Sequence, residues 1–338
     1  MNDDDHVNNM KLTDAQAEMY DRQLRVWGVS TQLKIAKAKV LVIGASPNNL
    51  ECAKNIVLAG VSKVVLCEGR TTEKEERINF LVSLEDSAKK LSVAEAAAKS
   101  LQEMNPFGEV SAAENFKIED FEDKGVASEI LGGVNNNYDV VICCGRSVRA
   151  NIIRQLNELC RERKIAFFLT ECSSHHGYFF SDLGDAFEYV LKKKDGDNDS
   201  NDEKETALLT KSFVSLDDAI QRTSFGSFKS KRSCKFAPIF CALKQMELSS
   251  LNTTPSIDEV REHMTKKLQG GDKLVEGISL NDLALFLDNR IEMPAIAAIV
   301  GGLLANEVIK AISHAEEPIC NFFTFDVLSG KGTVEKLG

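Results

Sequence analysis

One strand-to-helix junction limits what this chain can fold into. Residues 40–54 run V-L-V-I-G-A-S-P-N-N-L-E-C-A-K. Four apolar residues lead into Gly44. A helical pattern follows from about residue 48 to 59, with Leu50, Ala53 and Val57 on one stripe and Gly60 as its stop. Residues 63–67, K-V-V-L-C, then form a second apolar strand. A strand, a helix and a strand at this spacing make a parallel crossover unit.

The pattern repeats downstream. Ser92-Val93-Ala94-Glu95 is a capping box that opens a helix ending near Asn105-Pro106. Residues 138–144, Y-D-V-V-I-C-C, are near-continuously apolar, as a strand buried on both faces must be. A helix over about 148–162 and a strand at I-A-F-F-L-T follow. Alternation of this kind predicts an α/β fold, a doubly wound Rossmann-like sheet. Residues 1–12 are polar and read as a disordered tail. Residues 13–191 carry the first part of the sheet. Residues 192–290 read as an insertion, a charged loop followed by helices over 238–246, 256–268 and 280–288. Residues 291–338 close the fold with a long helix from Pro294 and a strand hairpin around residues 329–332. Upstream, Thr13-Asp14-Ala15-Gln16 is a second capping box. It opens a helix that places Tyr20, Leu24 and Trp27 on one face and stops at Gly28.

The junction at Gly44 fits this fold but not its usual ligand. A phosphate loop reads G-x-G-x-x-G, and its second glycine lets the backbone approach the anion. Here Ser46 carries a side chain at that position. Pro47 removes a donor N–H, and Asn49 stands in place of the third glycine. Glu68, at the end of the second strand, is placed either to hold a ribose hydroxyl or to sit in a loop facing solvent. Without the glycines the loop reading is favoured.

The remaining features narrow the function further. A net charge of -10 argues against nucleic-acid binding. The acidic, polar opening residues do not read as a signal peptide, and the apolar run 293–305 is short of the ~20 residues that span a bilayer. Nine cysteines contain no C-x-x-C pair and read as buried reduced thiols. Cys172, in T-E-C-S-S-H-H, is the best candidate for a catalytic one. His175 and His176 point to opposite faces of a strand and read as surface or core-edge residues rather than metal ligands. The basic run at residues 229–235 is a charged loop or a nuclear import signal. Gly301-Gly302, inside an apolar helix, points to close packing against another backbone, within the fold or across a subunit interface.

Three segments together carry a resemblance. They are Y-D-R-Q-L-R-V-W-G at residues 20–28, the crossover unit at 39–68, and M-P-A-I-A-A-I-V-G-G-L-L-A-N-E-V-I-K-A-I-S with N-F-F-T-F-D after it. The chain resembles the adenylation-fold family that activates ubiquitin-like proteins. Its length and the segment H-H-G-Y-F-F-S-D-L-G are most similar to the smaller, non-thioester subunits of heterodimeric SUMO-activating enzymes.

The resemblance implies a catalytically incomplete half that pairs with a larger catalytic subunit and, through the complex, with SUMO. It implies no cofactor bound by this chain, with Mg-ATP at the partner subunit, and a location in the nucleus and also the cytoplasm. Arg22, in the Y-x-R-Q segment, is implied to project into the partner's ATP site. A guanidinium there would offer a permanent charge and a planar fork of donors to phosphate oxygens. Arg25 is implied to be a structural ion-pair partner. Active halves carry N-x-x-R-Q-F and a nearby lysine. This chain has Arg77-Ile78-Asn79-Phe80 in that region, with Lys89 and Lys90 following. Three alternatives stand beside this: a self-sufficient adenylyltransferase like those acting on sulfur-carrier proteins, the incomplete subunit of another ubiquitin-like modifier's activating enzyme, and a nicotinamide-dependent oxidoreductase.

Overall fold

In a computed structural model, the structure describes residues 11–68, 81–83, 85–86, 89–132, 137–192, 206–223, 235–249, 255–267, 278–287 and 292–338. The expected N-terminal tail (but for residues 11 and 12), the Arg77–Phe80 element, the acidic stretch 195–205 and the basic run (but for Lys235) lie outside the described residues.

Helix α1 (Asp14–Met19) opens on the Thr13 capping box, with both reciprocal bonds formed. Tyr20 ends it and starts α2 (Asp21–Ile35). The helix expected to stop at Gly28 instead kinks there, at φ 84, and resumes to Ile35. Tyr20 is buried, and its hydroxyl bonds to Asn105, which explains the break just before α2.

Strand β1 (Lys39–Ile43), helix α3 (Pro47–Ala59) and strand β2 (Lys63–Cys67) form the crossover unit. Helix α4 (Val93–Met104) follows on the Ser92 capping box, then β3 (Glu109–Ala112) and helix α5 (Lys124–Gly132). Next come β4 (Val140–Cys144), α6 (Ala150–Arg163), β5 (Ala166–Cys172) and β6 (His176–Asp182). The eight-stranded sheet has the order β10-β9-β6-β5-β4-β1-β2-β3. Strands β3, β2, β1, β4 and β5 are parallel, and β6, β9 and β10 continue antiparallel. The closing hairpin, β9 (Phe322–Asp326) and β10 (Lys331–Glu335), therefore returns to the first sheet as expected.

The region 192–290 begins differently from expectation. Strands β7 (Phe187–Lys192) and β8 (Thr206–Lys211) pair as a separate two-stranded sheet. Helix α7 (Leu216–Arg222), which periodicity does not reveal, is followed by α8 (Phe236–Ser249), α9 (Ile257–Lys267) and α10 (Leu280–Leu287). These helices share one apolar core with α6 and a face of the sheet, through residues such as Phe240, Val260, Phe286 and Leu156. Sequentially an insertion, they are physically one wall of the fold.

Helix α11 (Pro294–Ser313) covers the other face with α3 and α4. It is 20 residues long, longer than the 293–305 run, and by length and composition it is apolar enough to cross a membrane. Half of it is buried in the protein interior. Gly301 explains its closeness to α3. A Cβ there would lie 2.6 Å from Asn48 O, 2.7 Å from Glu51 Cβ and 3.1 Å from Cys52 N.

Candidate functional site

The strand order reverses between β1 and β4, and a ligand of this fold binds in the crevice beyond their carboxyl ends. In this chain the polar groups at that crevice are engaged within the chain. Gly44 keeps its glycine and a φ of +85, but for packing within the chain. A Cβ there would lie 2.6 Å from Cys144 Cβ and 2.8 Å from Ser147 Cβ. The loop after β4 thus rests directly on the loop after β1.

The polar groups around Gly44 are turned on one another. Ser46 is the N-cap of α3, yet its hydroxyl donates to Asn48 Oδ1 at 2.7 Å and does not cap the helix. Asn48 Nδ2 donates to Thr170 Oγ1 at 2.6 Å, and Thr170 Oγ1 donates to Tyr178 O at 2.8 Å. Asn49 Nδ2 donates to Gly44 O at 2.7 Å. Ser46, Asn48 and Asn49 are all buried. The Gly44 N–H goes to Cys67 O, and the Ala45 N–H points to Glu68 Oε2 at 3.4 Å. Glu68 therefore faces the amide that a phosphate would use. A triphosphate needs free N–H groups and a close backbone, and these residues do not fit one.

An ionic knot lies at the start of the loop after β4. Arg146, in the β4–α6 loop, donates from Nη2 to Cys172 O at 2.5 Å. It sits 3.3 Å from Glu292 Oε1 and 3.8 Å from Glu171 Oε1. Tyr178 donates its hydroxyl to Glu171 Oε2 at 2.9 Å. Buried charge survives only when paired in this way. Apart from the neighbours Glu171 and Cys172, these partners are distant from Arg146 in sequence, so no local motif announces the knot.

The other candidates resolve individually. Cys172 is 1% exposed, and burial pushes its thiol well above the usual range. A thiol held protonated and out of contact with solvent is a poor nucleophile. His176 is fully buried, beyond the core edge expected of it. Its ring stacks against Phe236 at 4.7 Å and Phe286 at 4.4 Å, and its Nδ1 meets Ser173 Oγ at 2.8 Å. Burial lowers its pKa to about 3, so it is neutral. Two phenylalanines from the 192–290 region make that pocket, which strand periodicity alone does not show. Among the described residues no group of His, Cys, Asp and Glu is arranged to hold a metal ion. Lys89 pairs with Glu85 at 2.6 Å.

Arg22 lies far in character from these buried groups. It is exposed on α2, and among the described residues it forms no salt bridge, whereas Arg25 takes Asp21 at 2.9 Å. Val26, one turn beyond Arg22, is 75% exposed.

Comparison with known proteins gives a consistent picture. A SUMO-activating enzyme subunit 1 from Danio rerio is 31% identical over 96% of this chain and 95% of its own length. A SUMO-activating enzyme subunit 1B-1 from Arabidopsis thaliana is 32% identical over 97% of this chain and 98% of its own. The Homo sapiens subunit 1 is 28% identical over 97% and 96%. Among solved structures, the crystal structure of selenomethionine PaaA superposes with a TM-score of 0.57 at 12% identity, covering 98% of this chain and 77% of that one, a likeness of fold alone. The family model described as the ThiF family matches residues 20–337, nearly the whole chain: the protein belongs to the ThiF family.

Proposed function

We propose that this chain is the smaller, non-thioester subunit of a heterodimeric SUMO-activating enzyme. The observation that carries this is the altered phosphate loop: Ser147 and Cys144 pack against Gly44, and the loop's own side chains use its polar groups. The modifier is taken from the relatives, which are SUMO-activating enzyme subunits 1. The nucleus and cytoplasm are the expected location, to be checked by microscopy of a tagged chain.

In this account Mg-ATP is bound by the larger subunit. The carboxylate of the SUMO C-terminal glycine attacks the α-phosphorus, the bond to the bridging oxygen breaks, and pyrophosphate leaves. A cysteine thiolate of the larger subunit then displaces AMP to give the thioester. Charge grows on the leaving pyrophosphate. Arg22, exposed and free of an acidic partner on its own helix, is the guanidinium this chain lends to that charge. The Arg22→Ala complex should assemble normally and exchange ATP with pyrophosphate on the order of a hundredfold more slowly, the scale for one donor lost from a transition state. Unaltered exchange removes the role assigned to Arg22. Exchange catalysed by this chain alone would favour the self-sufficient adenylyltransferase.

A further inference from the structure

Arg22 sits on a helix segment that packing alone does not hold in place. No side chain among residues 21–27 is fully buried, and the buried residues of α2, Thr31, Gln32 and Ile35, all follow the kink at Gly28. A segment with so little buried surface keeps one orientation through the bonds made at its ends.

Both ends are tied to one place, the last turn of α3. A helix leaves its final carbonyls without partners along its own ladder. Here side chains from outside α3 take two of them. Asn105 Nδ2, just past α4, donates to Val57 O at 2.6 Å, and Gln32 Nε2 donates to Ala59 O at 2.8 Å. The Trp27 ring N–H donates to Gln32 Oε1 at 2.9 Å, which fixes the far end of the segment. The near end is Tyr20, which is buried. Its hydroxyl accepts from Asn105 Nδ2 at 2.9 Å and donates to Asn105 Oδ1 at 3.2 Å. Asn105 Oδ1 also accepts the Phe107 N–H at 3.0 Å. The amide thus uses both hydrogens and its oxygen, and it has one orientation. Gly60 lets the two ties converge. At its φ of +96, a Cβ would lie 2.8 Å from Tyr20 Cζ and 2.8 Å from Gln32 Nε2.

Arg22 is two residues past Tyr20. The start of its helix is therefore set by a single phenol hydroxyl on a fixed amide. We propose that Tyr20 is a positioning residue: its hydroxyl, locked to Asn105, fixes the direction in which Arg22 leaves this chain toward the nucleotide of the larger subunit. The proposal rests on the role given to Arg22 above.

Tyr20→Phe isolates the link, because the ring stays and Asn105 keeps Val57 O and the Phe107 N–H. In complexes formed at saturating larger subunit, Tyr20→Phe should lower the maximal rate of ATP–pyrophosphate exchange about tenfold, less than the loss of Arg22 itself, with the KM for ATP unchanged. Added to Arg22→Ala, it should lower the rate no further, since no guanidinium is left to misplace. General structural damage would instead multiply with the loss from Arg22→Ala, and multiplied losses overturn the proposal. So does a full rate for Tyr20→Phe beside a slow Arg22→Ala complex. Asn105→Ala breaks the same bond from the α4 side and should also be silent beside Arg22→Ala, which carries the test where Tyr20→Phe does not fold. If neither variant assembles with the larger subunit, the bond is a requirement of the fold and the proposal falls. Full-rate exchange by the Arg22→Ala complex removes the reading of Arg22, and this role for Tyr20 with it.

Discussion

Alanine at Gly301 and alanine at Gly302 should have opposite effects on the same helix. At either position the helix gains about 1 kcal/mol of propensity. At Gly302 the new methyl meets open space, and that gain is the whole effect. At Gly301 the methyl would lie 2.6 Å from Asn48 O and 3.1 Å from Cys52 N, both backbone atoms of α3 that no rotamer change can move. Overpacking of this kind costs about 1–3 kcal/mol. Propensity cancels when the two variants are compared. Gly301→Ala should therefore be about 1–3 kcal/mol less stable than Gly302→Ala. Urea titration of the isolated chain at equilibrium measures the difference directly, with equal m-values as the check that the unfolded states match. The displaced atom, Asn48 O, belongs to the first turn after the Gly44 loop, so the loss should appear with disturbed loop packing. Equal stability of the two variants would refute the claim that α11 and α3 are in backbone contact at Gly301.

Two further outcomes follow from the buried side chains. Burial lowers the folded-state pKa of His176 to about 3, below the ~6.5 of a free histidine, so the unfolded chain binds more protons between those values. Stability from this group is complete above the free value and is lost as pH falls toward the folded one, at up to ~1.4 kcal/mol per pH unit. Denaturation at pH 7.0 and pH 5.5 should show the loss in the native chain and a flatter dependence in His176→Leu. Cys172 should resist alkylation by iodoacetamide in the native chain and react once it is unfolded, as peptide mass spectrometry would show. Cys172→Ala should leave thioester formation by the complex unchanged.

What could be seen in the sequence was local or periodic. The Gly44 junction, the capping boxes at Thr13 and Ser92, and the apolar strands of the sheet all depend on neighbours within a few residues, and the structure has them in place. The absence of two glycines was enough to doubt the phosphate loop. What packs against it was not visible: Ser147 lies about a hundred residues downstream, and only the β1–β4 pairing brings it onto Gly44. The same holds for His176, whose aromatic walls come from α8 and α10, and for Arg146, whose acids come from β5 and the approach to α11. Short helix α7 carries too few turns for its periodicity to stand out, and Gly28 reads as a stop although the chain resumes its helix after one positive φ. Gly301-Gly302 was legible as a packing feature, but which glycine faces inward depends on helix phase relative to α3.

The central claim is that turnover takes place on the larger subunit because this chain's own phosphate loop does not fit a triphosphate. Equilibrium binding of Mg-ATP, measured first with the isolated chain and then with the assembled complex, tests it most directly. The account predicts no saturable binding by the isolated chain and one nucleotide per complex. Saturable binding by the isolated chain that is lost on substituting Gly44 or Ser147 would contradict it.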